Sequence, residues 1–231
     1  PVPFDVMKKL VETFPVGVSN IYGITEGGGG GLFNLYPEDV LRKPGSIGKP
    51  TFGVEGKIVG YKGEDLPAGE VGELVFSTPR MMKGYFKNEE MTQDTLKDGW
   101  LYTGDLLQTD EEGFFYIVDR KKDMITSGGE NIFPVEIEDA LMEHEKIDDV
   151  ACIGHPDERL VEVVMAIVQL KDGETMTEEE VLEFGKTKLA KYKLPRKILF
   201  DSVMRNPTGK LMKPQMREKY TGRREAFQKL S

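Results

Sequence analysis

Between Pro44 and Asp119 the chain never stays apolar for long before it meets a glycine, a proline or an aspartate. The stretches "GVEGKIVG", "GELVFST" and "GFFYIVD" are long enough for strands and too short for the usual helix. This punctuation predicts a small antiparallel sheet or barrel over the region and leaves no room for a long helical pattern.

The segments on either side read differently. Ahead of the β-rich region, "PVPFDVMKKLVETFP" predicts a helix with Val6, Leu10 and Phe14 on one face, followed by a short strand "GVSNIYG" that runs into Gly27 to Gly31. The opening lacks an initiator methionine and is expected to be a piece of a longer protein. After the polar stretch "DRKKD", Pro134 can start a helix through "PVEIEDALMEHE", with Ile137, Ala140 and Leu141 as its apolar stripe. Strands "DDVACIG" and "EVVMAIVQL" follow. Thr177 and Glu180 form a capping box that opens a helix through Val181, Leu182 and Leu189, and "KILFDSV" reads as a further strand. The expected fold class is therefore α+β: a small β-rich, barrel-like subdomain followed by a compact α+β C-terminal domain, with "DRKKD" as a polar joint between them. The expected divisions are 1–43, an opening piece that reads as incomplete; 44–120, the β-rich subdomain; and 121–231, the α+β domain.

Composition narrows the function by exclusion. A chain of 231 residues that is 39% hydrophobic and 31% charged can bury a core. Its net charge of −9 argues against nucleic acid as a main partner, because phosphate backbones are bound chiefly by Lys and Arg. No apolar run is long enough for a transmembrane segment, and a cytoplasmic location is the default expectation. The lone Cys152 lies in the strand-like "DVACIGHP" and is expected to be buried and inert. Five adjacent glycines do not make a dinucleotide fingerprint. "GKT" at 185–187 lacks the earlier glycine of a P-loop, and His144 and His155 have no ligand-spaced partners. The acidic pair Glu136 and Glu138 is expected to complement a helix dipole. The basic cluster Lys186, Lys188, Lys191, Lys193, Arg196 and Lys197 is expected to be a solvated face, with contact to ligand phosphates or a partner protein as its functional alternative.

Four stretches remain, in this order: "YGITE" at 22–26, "GWLYTGDL" at 99–106, "GFFYIVDRKKDMITSGGENIFPVEIE" at 113–138 and "NPTGKL" at 206–211. Taken singly, each could be a strand end, a turn or a loop. Together they resemble the adenylate-forming superfamily: acyl-CoA and aryl-CoA synthetases, adenylation domains of peptide synthetases, and firefly luciferase. The resemblance runs over nearly the whole chain and corresponds to the C-terminal part of such an enzyme. It implies that the family's phosphate loop lies upstream of Pro1 and that the piece by itself is inactive.

In that family a carboxylic acid attacks the α-phosphate of Mg-ATP, giving acyl-AMP and pyrophosphate, and CoA then takes the acyl group. The first step brings two anions together, and an ammonium about 4 Å away offsets about 4 kcal/mol of that cost at an effective dielectric of about 20. The resemblance assigns this ammonium to Lys210. It assigns Glu26 to Mg²⁺, Thr25 to the α-phosphate, and Tyr22 with Gly23 to the adenine. Asp105 and Arg120 fall to the ribose, Lys122 to the hinge, and Gly128 and Gly129 to the channel for the pantetheine arm of CoA. The implied cofactors are ATP, Mg²⁺ and coenzyme A, and the implied partner is a carboxylic acid, with fatty or general acyl groups slightly favoured. The implied function is an acyl-CoA synthetase. The alternatives are a non-catalytic nucleotide-binding or interaction module, an adenylation domain that loads a carrier protein, and a luciferase-like oxidation. Five glycines after "YGITE" depart from the family pattern, and Gly27 to Gly31 are expected to be poorly ordered, as are many exposed glycine tracts.

Overall fold

The structure, a computed structural model, describes residues 4–222, and of residues 5 and 30–32 it describes the backbone alone. The chain divides into two compact units, Pro1–Lys121 and Lys122–Ser231.

The first unit opens with α1 (Phe4–Thr13) and continues through β1 (Asn20–Ile24), β2 (Gly29–Leu35), β3 (Ser46–Pro50), β4 (Glu55–Val59) and β5 (Gly72–Ser77). A short helix α2 (Glu89–Thr95) precedes β6 (Leu96–Lys97), β7 (Trp100–Thr109) and β8 (Phe115–Arg120). Among the described residues these strands make one eight-stranded sheet in the order β1-β2-β3-β8-β7-β5-β4, with β6 on β7. The order has two ends, so the sheet does not close into a barrel. It also takes in β1 and β2 from the opening segment, through the pairing of Phe33 with Pro50.

Phe33 is fully buried at the centre of this unit, and Phe76 and Phe115 meet it edge-on at centroid separations of 6.2 and 4.9 Å. Burying one such ring stabilises the fold by about 1.5–3 kcal/mol.

Two expectations are corrected in this unit. The helix α1 forms, but its buried side is Met7, with Val11 partly buried beside it against Leu35, Val40 and Phe114. Val6 and Phe14, taken from the sequence as its core face, are 49% and 52% exposed. The stripe was misplaced because Met7 and Val11 have the same helical spacing. The β-rich region also contains a helix, α2, which starts where the Asn88 side chain accepts a hydrogen bond from the Met91 amide at 3.0 Å.

The second unit contains β9 (Ile125–Ser127), β10 (Glu130–Ile132), α3 (Pro134–Met142), β11 (Ile147–Asp157), β12 (Val161–Leu170), α4 (Glu178–Lys186), β13 (Lys197–Phe200) and α5 (Lys213–Thr221). Its sheet runs β10-β9-β12-β11, with β13 parallel on β12. A parallel neighbour requires a crossover, and α4 lies on it. The run "VVMAIV" is apolar at every position because β12 is covered on both faces. Val164, Ala166 and Val168 pack with Ile137 and Leu141 of α3 and Val181 of α4. Met165 and Ile167 pack with Met216 of α5. Cys152 is fully buried among these residues and forms no disulfide.

The capping box of α4 forms as expected: Thr177 Oγ1 accepts from the Glu180 amide at 3.2 Å and Glu180 Oε2 accepts from the Thr177 amide at 2.7 Å. The helix stops at Lys186, short of the expected Leu189, which is nonetheless buried.

Candidate functional site

In the first unit, β7 and β8 place Asp105 directly opposite Arg120. Asp105 is only 6% exposed and is gripped from two sides. The Tyr22 hydroxyl, arriving from β1, donates to Oδ2 at 2.6 Å, and Arg120 Nε lies 3.2 Å from Oδ1. Burial, and then the facing Asp105 charge, push the Tyr22 phenol well above its ordinary range, so it stays a protonated donor. Its ring stands edge-on to Phe33 at 5.9 Å, which fixes the direction of the hydroxyl. Thr103 Oγ1 accepts from the Asp105 amide at 3.1 Å and donates to the Leu74 carbonyl at 2.9 Å. Residues 83 positions apart in sequence thus meet around one carboxylate, which has lone pairs left for further donors.

Beyond β1 the chain makes a single 3₁₀ turn, Thr25–Gly27, and leaves it through Gly28 in the left-handed conformation, φ +85°. A β-carbon at Gly28 would stand 2.5 Å from the Arg80 carbonyl oxygen, so this glycine is required by both conformation and space. The turn pins Glu26: its carbonyl accepts from the Met82 amide at 2.7 Å, and its Oε1 accepts from the Tyr85 hydroxyl at 2.8 Å. Burial, then Glu26, raise the Tyr85 phenol's pKa. Thr25 is exposed beside it. Within the glycine run expected to be poorly ordered, Gly27 and Gly28 take part in this tight turn and Gly29 opens β2.

Glu73, on β5, was not singled out from the sequence. It is 8% exposed; Oε1 accepts from the Gly104 amide at 3.0 Å and Oε2 receives the Lys121 ammonium at 2.7 Å. A lone carboxylate inside the apolar "GELVFST" was the available signal. Lys122, the next residue, is exposed and begins the second unit.

In the second unit, Gly128 and Gly129 form the two-residue turn between β9 and β10, with φ of +60° and +91°. Two successive positive φ values are what a tight hairpin demands, so both glycines already have a local reason to be there. Lys210 is exposed at the end of a loop organised by Asn206. The Asn206 Oδ1 accepts from the Thr208 amide at 3.0 Å and the Lys210 amide at 2.9 Å, and the Asn206 amide donates to the Lys210 carbonyl at 2.9 Å. This is the side-chain-stabilised turn that an Asn-Pro start signals.

The acidic pair separates into two roles. Glu136 is exposed and meets Lys193. Glu138 is buried; its Oε1 accepts from the Cys152 amide at 2.7 Å and pairs with Lys213 at 2.8 Å. The helix-dipole expectation is therefore corrected for Glu138, which anchors α3 to β11 and α5 instead. In the basic cluster, Lys186 pairs with Glu183 and Lys188 with Glu143 at the surface.

Among the described residues no three carboxylate, imidazole or thiolate groups gather as a metal cage. A single carboxylate such as Glu26, completed by phosphate oxygens and water, is the donor set that suits Mg²⁺. No helix among the described residues is long and apolar enough to cross a membrane.

Comparison with known proteins bears on these positions. The profile of the AMP-binding enzyme family matches residues 1–86, and that of the AMP-binding enzyme C-terminal domain matches residues 136–210. A long-chain-fatty-acid–CoA ligase of Mycobacterium tuberculosis is 40% identical over 96% of this chain and 43% of its own length. A feruloyl-CoA synthase of Amycolatopsis is 40% identical over 95% of this chain and 45% of its own length. The solved o-succinylbenzoate CoA synthetase of Bacillus subtilis, in complex with its acyl-adenylate intermediate, superposes with a TM-score of 0.84 at 36% identity, covering 94% of this chain and 44% of that one. The chain spans less than half the length of each of these relatives.

Proposed function

The chain belongs to the AMP-binding enzyme family, the adenylate-forming superfamily of acyl-CoA synthetases, and from that premise we propose that the protein is an ATP-dependent carboxylate–CoA ligase of which these residues form the C-terminal part. The observation that carries this reading is the buried Asp105 carboxylate, held by Tyr22 and Arg120 with lone pairs to spare. An ionised carboxylate so oriented suits the two hydroxyls of a ribose.

Around it the roles are those that the family resemblance implies. Tyr22 and Gly23 line the adenine, and Arg120 shares the ribose with Asp105. Thr25 donates to the α-phosphate. Glu26, aimed by Tyr85, would hold Mg²⁺, which when bound would supply charge neutralisation for the phosphates. Lys210, exposed on its Asn206-braced loop, provides the ammonium for adenylation. Lys122 acts as the pivot, supported by the division of the chain between Lys121 and Lys122. Gly128 and Gly129 leave a side-chain-free turn for the pantetheine arm of CoA; Gly129 has open space where a β-carbon would stand. The substrate is a carboxylic acid, and the relatives act on fatty and aryl acids alike. The reading places the protein in the cytoplasm, where ATP and CoA are available.

The test is pyrophosphate release by the full-length protein across a panel of fatty, short-chain and aryl acids with Mg-ATP. Release with one class, followed by thioester formation when CoA is added, is expected. Release with no acid would turn the assignment towards a non-catalytic nucleotide-binding module.

A further inference from the structure

The β7 strand does not run evenly past its neighbours. Against β5 the register shifts between the Glu73 and Val75 positions, and against β8 it shifts between Leu106 and Leu107. Bulges of this kind re-aim a side chain and leave ladder groups unpaired. The irregularity against β5 spans residues 103–105 of β7, and the middle one is Gly104, in the left-handed region at φ +71°, immediately before Asp105. Its amide donates to Glu73 Oε1 at 3.0 Å, and its carbonyl accepts from the Lys121 amide at 2.9 Å. Glu73 Oε2 then receives the Lys121 ammonium at 2.7 Å. One buried carboxylate thus grips the residue before Asp105 and the residue after Arg120.

We propose that Glu73 is a positioning residue for the nucleotide: by closing the β7 bulge onto Lys121 it sets the aim of the Asp105–Arg120 pair at the ribose. This rests on the ligase reading above. Glu73 touches no substrate; it acts through the backbone of Gly104 and through Lys121, whose side chain holds the end of β8 in place. Glutamine at this position keeps one acceptor for the Gly104 amide. Its amide nitrogen would then face the Lys121 ammonium, donor against donor, and the second grip is lost.

The experiment compares AMP with 2′,3′-dideoxy-AMP as calorimetric ligands of the full-length protein and its variants. The wild type is expected to prefer AMP, because only AMP carries the hydroxyls that Asp105 accepts. Glu73→Gln should weaken AMP by about tenfold while changing dideoxy-AMP by less than about twofold, erasing the preference with little change in melting temperature. A generally loosened fold would weaken both ligands together, and that outcome, or an unchanged preference, overturns the inference. Lys121→Met provides the second measurement if Glu73→Gln fails to fold: it should lower the AMP preference in the same direction, and an unaltered preference counts equally against Glu73. Binding of neither nucleotide by the wild type would overturn the ligase reading itself, a result distinct from a wild type that prefers AMP and a variant that does so just as well.

Discussion

The Tyr22 hydroxyl reaches Asp105 Oδ2 at 2.6 Å, joining the edge strand β1 to β7. A hydrogen bond to an ionised group in a part-buried setting contributes about 1.5–3 kcal/mol. Tyr22→Phe keeps the ring on Phe33 and deletes the donor. It should lower stability by about 1–2 kcal/mol in urea titration and weaken AMP binding severalfold. Full retention of both properties would show that the contact contributes neither support nor aim.

Lys210→Ala, in the full-length protein, should abolish acyl-AMP formation and spare CoA transfer from supplied acyl-AMP. The Asn206 loop is closed by backbone and Asn206 side-chain bonds, so removing the ammonium leaves its shape intact. Assays of the two half-reactions distinguish the outcomes, and equal loss of both would sink the assigned role.

Lys122→Pro fixes φ at the first residue of the second unit. If Lys122 is a pivot, thioester formation should fall by at least about tenfold more than adenylation, which separate assays of the two steps would read. An unchanged thioester rate would exclude the pivot.

Lys213→Met removes the ammonium that Glu138 meets at 2.8 Å in a buried setting, with the Cys152 amide still donating to the carboxylate. Breaking a buried pair in this way costs about 3–5 kcal/mol. Chemical denaturation should show the loss, and adding Glu138→Gln should recover part of it. Absence of recovery in the double variant would mean that Lys213 contributes through packing alone.

Asp201 supplies the pH dependence. Hydrogen bonds from the Lys219 ammonium, the Tyr220 hydroxyl and the Ser202 amide hold its carboxyl well below the ordinary value near 3.8. A carboxyl lowered by folding stabilises in full above its unfolded pKa, and the contribution disappears as pH falls through the folded value. The denaturation midpoint should therefore drop as pH is taken below about 4, and Asp201→Asn should flatten that limb. Parallel acid limbs in the two proteins would rule Asp201 out as a source.

Much of the second unit was legible in the sequence because its signals are local. The Thr177–Glu180 capping box is written within four residues, and the unbroken apolar run of β12 already requires cover on both faces. The α1 face was misread because Val6–Leu10–Phe14 and Met7–Val11 satisfy the same helical period. Only the distant Leu35, Val40 and Phe114 decide between them. The site separates along the same line. Tyr22, Glu26, Asp105, Arg120 and Lys210 stand in short motifs. Glu73, Tyr85 and Glu138 act through partners 31, 59 and 14 positions away, and no local pattern announces such a partner.

The Glu138–Lys213 pair also bears on where the second unit can be cut. The family's C-terminal profile ends at residue 210, three positions before the lysine that neutralises Glu138 and six before Met216, which plugs the far face of β12. A separately expressed domain trimmed to the profile would lose the ammonium that Glu138 meets in the core and strip one side of its sheet. An excised piece that behaves as a protein has to run through Thr221, the last residue of α5.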